Sequence, residues 1–532
     1  MGIIQEISTL IRARYPILYL ISYEEERVTE AVKTIAREAR RSVYVWSETM
    51  GLQPATGDNK LRTPDKQTQD PFNALEVIRT TNEKAIFILQ DFHPYLSANF
   101  AHRISAVRKL RDLVDQLHTS YKTIILISPV LELPAELEKD INVIDYPLPT
   151  LDDMDKLLTR VHEQVKQAAS IDITPTLQER EMILKAALGL TLNEADNVFA
   201  RCVVEKKKFD IDLIVAEKEQ LIRKSGLLEY YHAVAGLDDL GGLDLLKSWL
   251  QQRRNAFSKK ARDFGLPAPR GVLLTGVQGC GKSLAAKVVA NLWRMPLLRL
   301  DMGRLFSSYI GSSEDNVRKA IKIAESISPV VLWIDEIEKA MSGMQSSGSV
   351  DGGTTARVFG SLLTWMQEKT VPVFVVATAN DITGLPPELL RKGRFDEIFF
   401  ADLPSAEERE QILNIHLKRR KRNPNKFDMK KIAEAADGFS GSELEQAIIA
   451  GLYNAFAKER DLVTEDLVEA IEETIPLSRT AEDKIMALRE WSAMRARPAS
   501  ANQRERTENA VKEFRGRQSA AMMDIFENGD EE

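Results

Sequence analysis

Between Gly276 and Ser283 the chain reads GVQGCGKS. A phosphate chain is best held by backbone N–H groups that point inward, so the loop around it must curl tightly. Side chains at Gly276, Gly279 and Gly281 would obstruct that curl or demand disfavoured backbone angles. Lys282 adds a positive charge for the β- and γ-phosphates, and Ser283 offers a hydroxyl to Mg²⁺. The helical pattern that follows turns its N-terminus toward the anion. Further along, PVVLWIDE (Pro329 to Glu336) ends an apolar run in two carboxylates. Asp335 suits Mg²⁺, directly or from its second coordination shell, and Glu336 suits the polarising of an attacking water. VPVFVVATAN ends in Asn380, whose amide could orient that water or touch the γ-phosphate without adding charge. In ELLRKGRFD, Arg391 and Arg394 are planar cations of the kind that stabilise charge spreading over γ-phosphate oxygens; plain surface charge is the equal alternative.

These groups need elements to hold them. Residues 270–276, RGVLLTG, form an apolar run suited to a buried parallel strand, and LAAKVVANLW after Ser283 has helical spacing. Strands alternating with helices imply an α/β domain with a parallel sheet, and ligands of such sheets sit at the carboxyl ends of the strands. The loop, the carboxylates and Asn380 all fall there. Beyond Leu403-Pro404 the pattern turns helical, over residues 405–475, as expected for a small helical domain.

The first half repeats this grammar. PILYLIS (16–22), AIFILQD (85–91) and TIILISP (123–129) are apolar runs; VIDYPLPTLDDMDKLL from Val143 echoes EIFFADLPSAEEREQIL from Glu397; LGLTLNEADNVFARC from Leu188 echoes DGFSGSELEQAIIAG from Asp437. The order is kept at a shift of about 250 residues, as a duplicated module would show. The chemistry is not kept. SYEEERVT (Ser22 to Thr29) stands where the second half has its glycine loop, and three glutamates without a compensating cation would repel a triphosphate. Residues 1–225 are therefore expected not to bind nucleotide. The expected organisation is a degenerate P-loop-like α/β domain (1–150), its helical partner (151–228), an α/β ATPase domain (229–403), a helical lid (404–480), and a C-terminal helix with a charged, partly disordered tail (481–532).

Composition narrows the class. The 532 residues carry 72 Lys+Arg against 79 Asp+Glu, a net charge of −7, which argues against a general binder of nucleic acid or anionic membrane. HLKRRKR (His416 to Arg422) is the one local basic run that would favour a nucleic-acid motor. Two cysteines, Cys202 and Cys280, exclude a disulfide framework and a cysteine-built zinc site. No apolar run reaches the roughly 18 residues of a membrane span, and the N-terminus lacks a signal pattern. A cytosol-like multidomain protein is expected.

Taken together, GVQGCGKS, WIDEIE, ATAN and ELLRKGRFD resemble, in this order, the AAA subgroup of AAA+ ATPases over about residues 230–475. The resemblance implies a P-loop αβα domain with a helical lid, using ATP and Mg²⁺. It makes Gly276, Val277, Gln278, Gly279, Cys280, Gly281, Lys282, Ser283 and Leu284 the Walker A loop, Asp335 and Glu336 Walker B, and Asn380 sensor 1. Arg391 and Arg394 become arginine fingers that reach a neighbouring subunit, which implies a homo-oligomeric ring, usually a hexamer. Gly241, in LDDLGGLDLLKSWL, falls in the segment beside adenine; His416 and Gly441 fall where the family approaches the nucleotide. Tyr309-Ile310-Gly311 matches the first pore loop, which grips a polypeptide client, and residues 341–355 match a second. Trp333 inside Walker B and Cys280 in place of the usual threonine depart from the pattern. The whole arrangement is similar to the divergent AAA proteins of cyanobacteria and some plastid genomes, which implies a cytoplasmic or stromal setting. The resemblance implies a ring ATPase that remodels or threads a protein; an ATP-dependent switch or assembly factor is the alternative, and nucleic acid is disfavoured.

Overall fold

The structure is a computed structural model that describes residues 2–55, 63–169, 173–224, 226–306, 312–339, 352–382, 385–391, 393–501, 503–509 and 511–512. The chain divides into two compact units, residues 1–215 and 216–532.

The first unit is built on β1 (Ile17–Ile21), β2 (Ser42–Ser47), β3 (Gly51–Pro54), β4 (Ala85–Gln90), β5 (Thr123–Ser128) and β6 (Ile141–Asp145). Their order across the sheet is β3-β2-β4-β5-β1-β6, all pairings parallel except β3 against β2. β4 and β5 are buried almost from end to end, because apolar clusters cover both faces of the sheet. That double cover is why their sequences are continuous apolar runs rather than alternating ones. Helices Leu151–Ala169, Leu177–Ala187 and Leu192–Lys206 follow the sheet.

The second unit holds β7 (Leu228–Tyr231), β8 (Gly271–Gly276), β9 (Leu297–Leu300), β10 (Val330–Ile334), β11 (Val373–Ala379), β12 (Glu397–Ala401) and β13 (Arg497–Pro498). The order is β13-β12-β8-β11-β10-β9-β7, with β7 antiparallel to β9 and the rest parallel. Two apolar clusters again sandwich the sheet. A four-helix lid follows, Ala406–Arg419, Met429–Ala435, Gly441–Ala457 and Thr464–Glu472, around its own core of Leu413, Ile432, Leu444 and Ile448.

The five parallel strands occur in one order in both units. β1, β2, β4, β5 and β6 take the places of β8, β9, β10, β11 and β12. Cap chemistry repeats as well: Thr191 with Glu194 opens Leu192–Lys206, and Ser440 with Glu443 opens Gly441–Ala457. The chain from Arg497, a polar and charged stretch, forms β13 and a helical segment at 503–509.

Candidate functional site

β8 delivers the glycine loop at its carboxyl end, and the helix Lys282–Trp293 starts directly after it. Gly276 sits at φ +135°, where an added Cβ would lie 2.1 Å from the Ala401 carbonyl oxygen, part of the backbone next door. Gly279, at φ +80°, would bring a Cβ 2.1 Å from Ser442 Oγ. The loop thus needs glycine for conformation and for space together. Lys282 is 6% exposed, and its ammonium donates to the carbonyls of Gly276 (2.9 Å) and Val277 (2.7 Å). Among the described residues no carboxylate forms an ion pair with it. Burial pushes its pKa down to about 8. A buried cation that lacks an anionic partner is what a phosphate-binding loop would offer its ligand.

Next to the loop, Ser283 Oγ donates to Asp335 Oδ1 at 3.0 Å, and Thr378 Oγ1 donates to the same oxygen at 2.6 Å. Arg299 approaches Asp335 Oδ2 at 3.7 Å. One hydroxyl and one carboxylate fit Mg²⁺, which keeps several waters and takes its remaining ligands from substrate phosphates. No cluster of three or more His, Cys, Asp or Glu suited to a metal occurs among the described residues, so an all-protein cage is not what this site provides.

Glu336 is held in the left-handed region at φ +49°, with its N–H donating to Thr378 Oγ1 at 2.9 Å. Its carboxylate accepts from Asn380 Nδ2 at 3.1 Å and pairs with Lys339 at 2.5 Å. Asn380 N–H in turn donates to Glu338 Oε1 at 2.9 Å; burial raises the pKa of Glu338. Lys282, Ser283, Asp335, Glu336 and Asn380, from three separate strand ends, therefore form one row.

A cleft of about 280 Å³ lies beside this row. Gly241, Gly279, Cys280, Gly281, Leu284, His416 and Gly441 line it. His416 is 3.4 Å from Glu445 Oε1, and burial lowers its pKa. Burial pushes the Cys280 thiol up to about 12, so it stays protonated at neutral pH and is poorly nucleophilic. Val277 turns its side chain into a small core with Leu403 and Ile485, and Gln278 is exposed; both serve the loop through backbone. Trp333 packs against Tyr231 at 5.5 Å, with the Arg299 guanidinium 5.2 Å from its ring centre, so its bulk is absorbed on the sheet face rather than in the cleft.

Arg391 and Arg394 are not brought to this row. They precede β12, which runs parallel to β8, so they stand at the end of the sheet opposite the glycine loop. Arg391 is exposed and Arg394 half-buried. Tyr309, Ile310 and Gly311 lie outside the described residues, as does most of the stretch 341–355. The arginines of the basic run are paired within the chain: Arg419 with Asp239 (2.8 Å), Arg420 with Glu445 (2.9 Å) and Arg422 with Asp461 (3.3 Å).

Thr378, Arg299, Glu338 and Ser500 join the site without having been singled out in the sequence. Thr378 lies on β11 two residues before Asn380, which follows the strand, a spacing that could have flagged it. Nothing local marks Arg299 or Ser500.

In the first unit the corresponding joint is built differently. Only residues 22–24 separate β1 from the helix Glu25–Ala39. Glu24 is 6% exposed and, against the expectation that no cation offsets the glutamates, pairs with Arg27 of the same stretch at 2.8 Å; it also accepts the N–H of Leu192 at 2.7 Å. Leu192 opens the helix Leu192–Lys206. In the second unit the matching helix start is Gly441, and there Ser442 N–H donates to Gly279 O at 3.1 Å.

Comparison with known proteins matches three stretches of the chain to family models. Residues 272–403 match the model of the ATPase family associated with various cellular activities, AAA. Residues 3–146 match the N-terminal domain of the SpoVK-like AAA ATPases, and residues 152–225 match the second domain of the same group. The chain is 41% identical over 500 residues to the "Uncharacterized AAA domain-containing protein ycf46" of Guillardia theta, covering 93% of this chain and 95% of the relative. It is also 41% identical over 508 residues to the protein of the same name in Pyropia yezoensis, covering 94% and 100%. Similarity to the proteasome-activating nucleotidase of Aeropyrum pernix is 33% over 214 residues, 40% of this chain and 52% of that one.

Proposed function

This chain belongs to the AAA ATPases, in the family of the plastid ycf46 AAA domain-containing proteins, and on that premise we propose that its second unit hydrolyses Mg·ATP to remodel or thread a protein partner. The observation that carries the nucleotide reading is the row from Lys282 to Asn380 at the carboxyl ends of three parallel strands.

In this reading the Gly276–Gly281 amides and Lys282 hold the phosphates, and the cleft beside Gly241, His416 and Gly441 takes the nucleoside. Mg²⁺, when bound, neutralises charge on the β- and γ-phosphates, and Ser283 and Asp335 are the residues to hold it. Glu336 takes the proton of the attacking water, and Asn380 fixes the direction of its carboxylate. Arg391 and Arg394 serve the site of the next copy in a homo-oligomeric ring, a hexamer by analogy with the wider group; their distance from the chain's own glycine loop favours action in trans. Residues 1–215 are a module without nucleotide chemistry that docks clients or braces the ring. Internal pairing of Arg419, Arg420 and Arg422 weighs against a nucleic-acid motor. The name of the Aeropyrum relative, a nucleotidase that activates a proteasome, favours a protein client over the other classes.

The test is affinity capture with the Glu336→Gln chain in ATP. A polypeptide retained in an ATP-dependent manner, and lost when Tyr309→Ala is added, supports threading. Normal processing of that client by the Tyr309→Ala chain rules threading out.

One observation favours a second reading, a slow switch. Both oxygens of Glu336 are engaged, one by Asn380 and one by Lys339. A base tied at both oxygens waits for a partner to free it. Slow basal turnover that rises on Lys339→Ala, with only an externally bound partner captured, would select the switch over threading.

A further inference from the structure

The nucleoside end of the cleft has two walls in the second unit. One is the loop Leu240–Leu243 leading into the helix Asp244–Gln252; the other is the helix Ala406–Arg419, which carries Ile412 and His416. The first wall is poorly supported by its own sequence. Gly242 stands at φ +66° and Leu243 at φ +53°, a left-handed conformation that a leucine adopts only when its surroundings impose it. Leu243 is also the N-cap residue of the helix it precedes, and it supplies no side-chain cap. The first N–H groups of that helix therefore need acceptors from elsewhere.

Ala499 and Ser500 supply them. The Ala499 carbonyl accepts the N–H groups of Leu245 (3.0 Å) and Leu246 (3.1 Å). Ser500 Oγ accepts the N–H of Leu243 at 3.2 Å, and Ala501 N–H donates back to Asp244 Oδ1 at 2.9 Å. The segment is anchored on the sheet. β13 pairs with β12, and Ala499 N–H donates to Phe400 O at 3.0 Å. Gln503, 2% exposed, donates to Phe400 O at 2.8 Å and accepts from Ala499 and Ser500 N–H at 3.0 and 3.1 Å. Ser500 also donates to Glu408 Oε1, and Arg506 approaches Glu408 at 3.6 Å. Glu408 is the capping partner of Ser405 at the start of the opposite wall. Ser500 is thus tied to both walls and itself lines the cleft.

We propose that residues 497–501 and 503–509 are a strap belonging to the nucleotide site, with Ser500 and Gln503 as positioning residues that set the nucleoside-binding loop 240–243 against the helix Ala406–Arg419. The inference rests on the reading of this cleft as the ATP site. Its chemical consequence is selective. Among the described residues the strap touches neither Lys282 nor Glu336, so it governs affinity for the nucleotide and not the hydrolytic step.

The experiment titrates the full-length chain with a fluorescent ADP analogue and measures ATP turnover against substrate concentration, for wild type, Ser500→Ala, Ser500→Thr, Gln503→Ala and a chain ending at Ala496. A rise of about tenfold in Kd and KM for Gln503→Ala and the shortened chain, smaller for Ser500→Ala and reversed in Ser500→Thr, with kcat held within about twofold, is expected. Point variants that bind as wild type does, or that lose kcat in step with affinity, overturn the strap. If the shortened chain does not fold, the point variants decide alone. If wild type binds no nucleotide, the ATP reading itself falls, and the strap with it; wild-type binding with unmoved variants sinks only the strap.

Discussion

The joint between sheet and helical lid is made twice in this chain, and the two versions differ in what fills it. After β8, a five-residue connection containing Gly279 and Gly281 leaves a curled backbone, a buried Lys282 and a cleft; its contact with the lid is a backbone one, Ser442 N–H to Gly279 O. After β1, the connection is shortened to residues 22–24, and the Glu24 carboxylate reaches the lid helix at Leu192. A helix N-terminus favours an anion. In the first unit that anion is part of the chain; in the second, the anion is left for a ligand to bring. Strand order is unchanged between them, so one fold carries two differently built joints.

The sharpest way to break the contrast is to disable one unit and see what remains. Glu336→Gln should lower kcat by about 10²- to 10⁴-fold in a steady-state ATPase assay, whereas Asp91→Asn, at the equivalent strand end of the first unit and also at positive φ, should leave it unchanged. Lys282→Ala should abolish nucleotide binding by the whole chain in calorimetry; a stoichiometric heat that survives it would show that residues 1–215 bind after all. Smaller in effect, Glu24→Ala should destabilise the first unit by about 1–3 kcal/mol in thermal melts, leaving ATP turnover intact, because the Leu192 N–H and Arg27 lose their buried partner.

Smallest is the effect of pH. Lys282 has a pKa lowered to about 8, so its charged form dominates below that value and is lost as pH rises through it. An anionic ligand binds the charged form. Affinity for ATP should hold at neutral pH and fall above about pH 8, by at most about tenfold per pH unit, a slope that isothermal titration at several pH values would read. A flat profile up to pH 10 would mean that Lys282 stays charged throughout or that the backbone amides hold the phosphates without it.

How much of this was legible follows from where each signal lies. GVQGCGKS carries its glycines, lysine and serine within one loop, and the strands before Asp335 and Asn380 are apolar runs with polar ends, so the row could be read residue by residue. The three glutamates set the first unit's loop apart from the glycine loop, yet do not say how the joint is built: Glu24 reads as a repelling charge, and only the fold shows it buried against Leu192. Arg391 and Arg394 read as groups for a phosphate site and stand at the far end of the sheet from the chain's own. Nothing in the polar composition from Arg497 onward announces that residues 497–503 bond to the sheet edge through β13 and Gln503, residue 502 lying outside the described residues.

By itself the sequence determined what is local: the apolar periods that make strands and helices, the glycines that a tight loop demands, the caps that start the lid helices, and the identity of the groups at strand ends. Tertiary structure alone decided partnerships between distant positions, such as Glu24 with Leu192, Ser500 with Leu243, and Arg299 with Asp335. The reason is physical. A dihedral preference or a period of burial is a property of a few consecutive residues, whereas a side-chain hydrogen bond depends on which strand lies beside which and in what register, and no short stretch of chain contains that information.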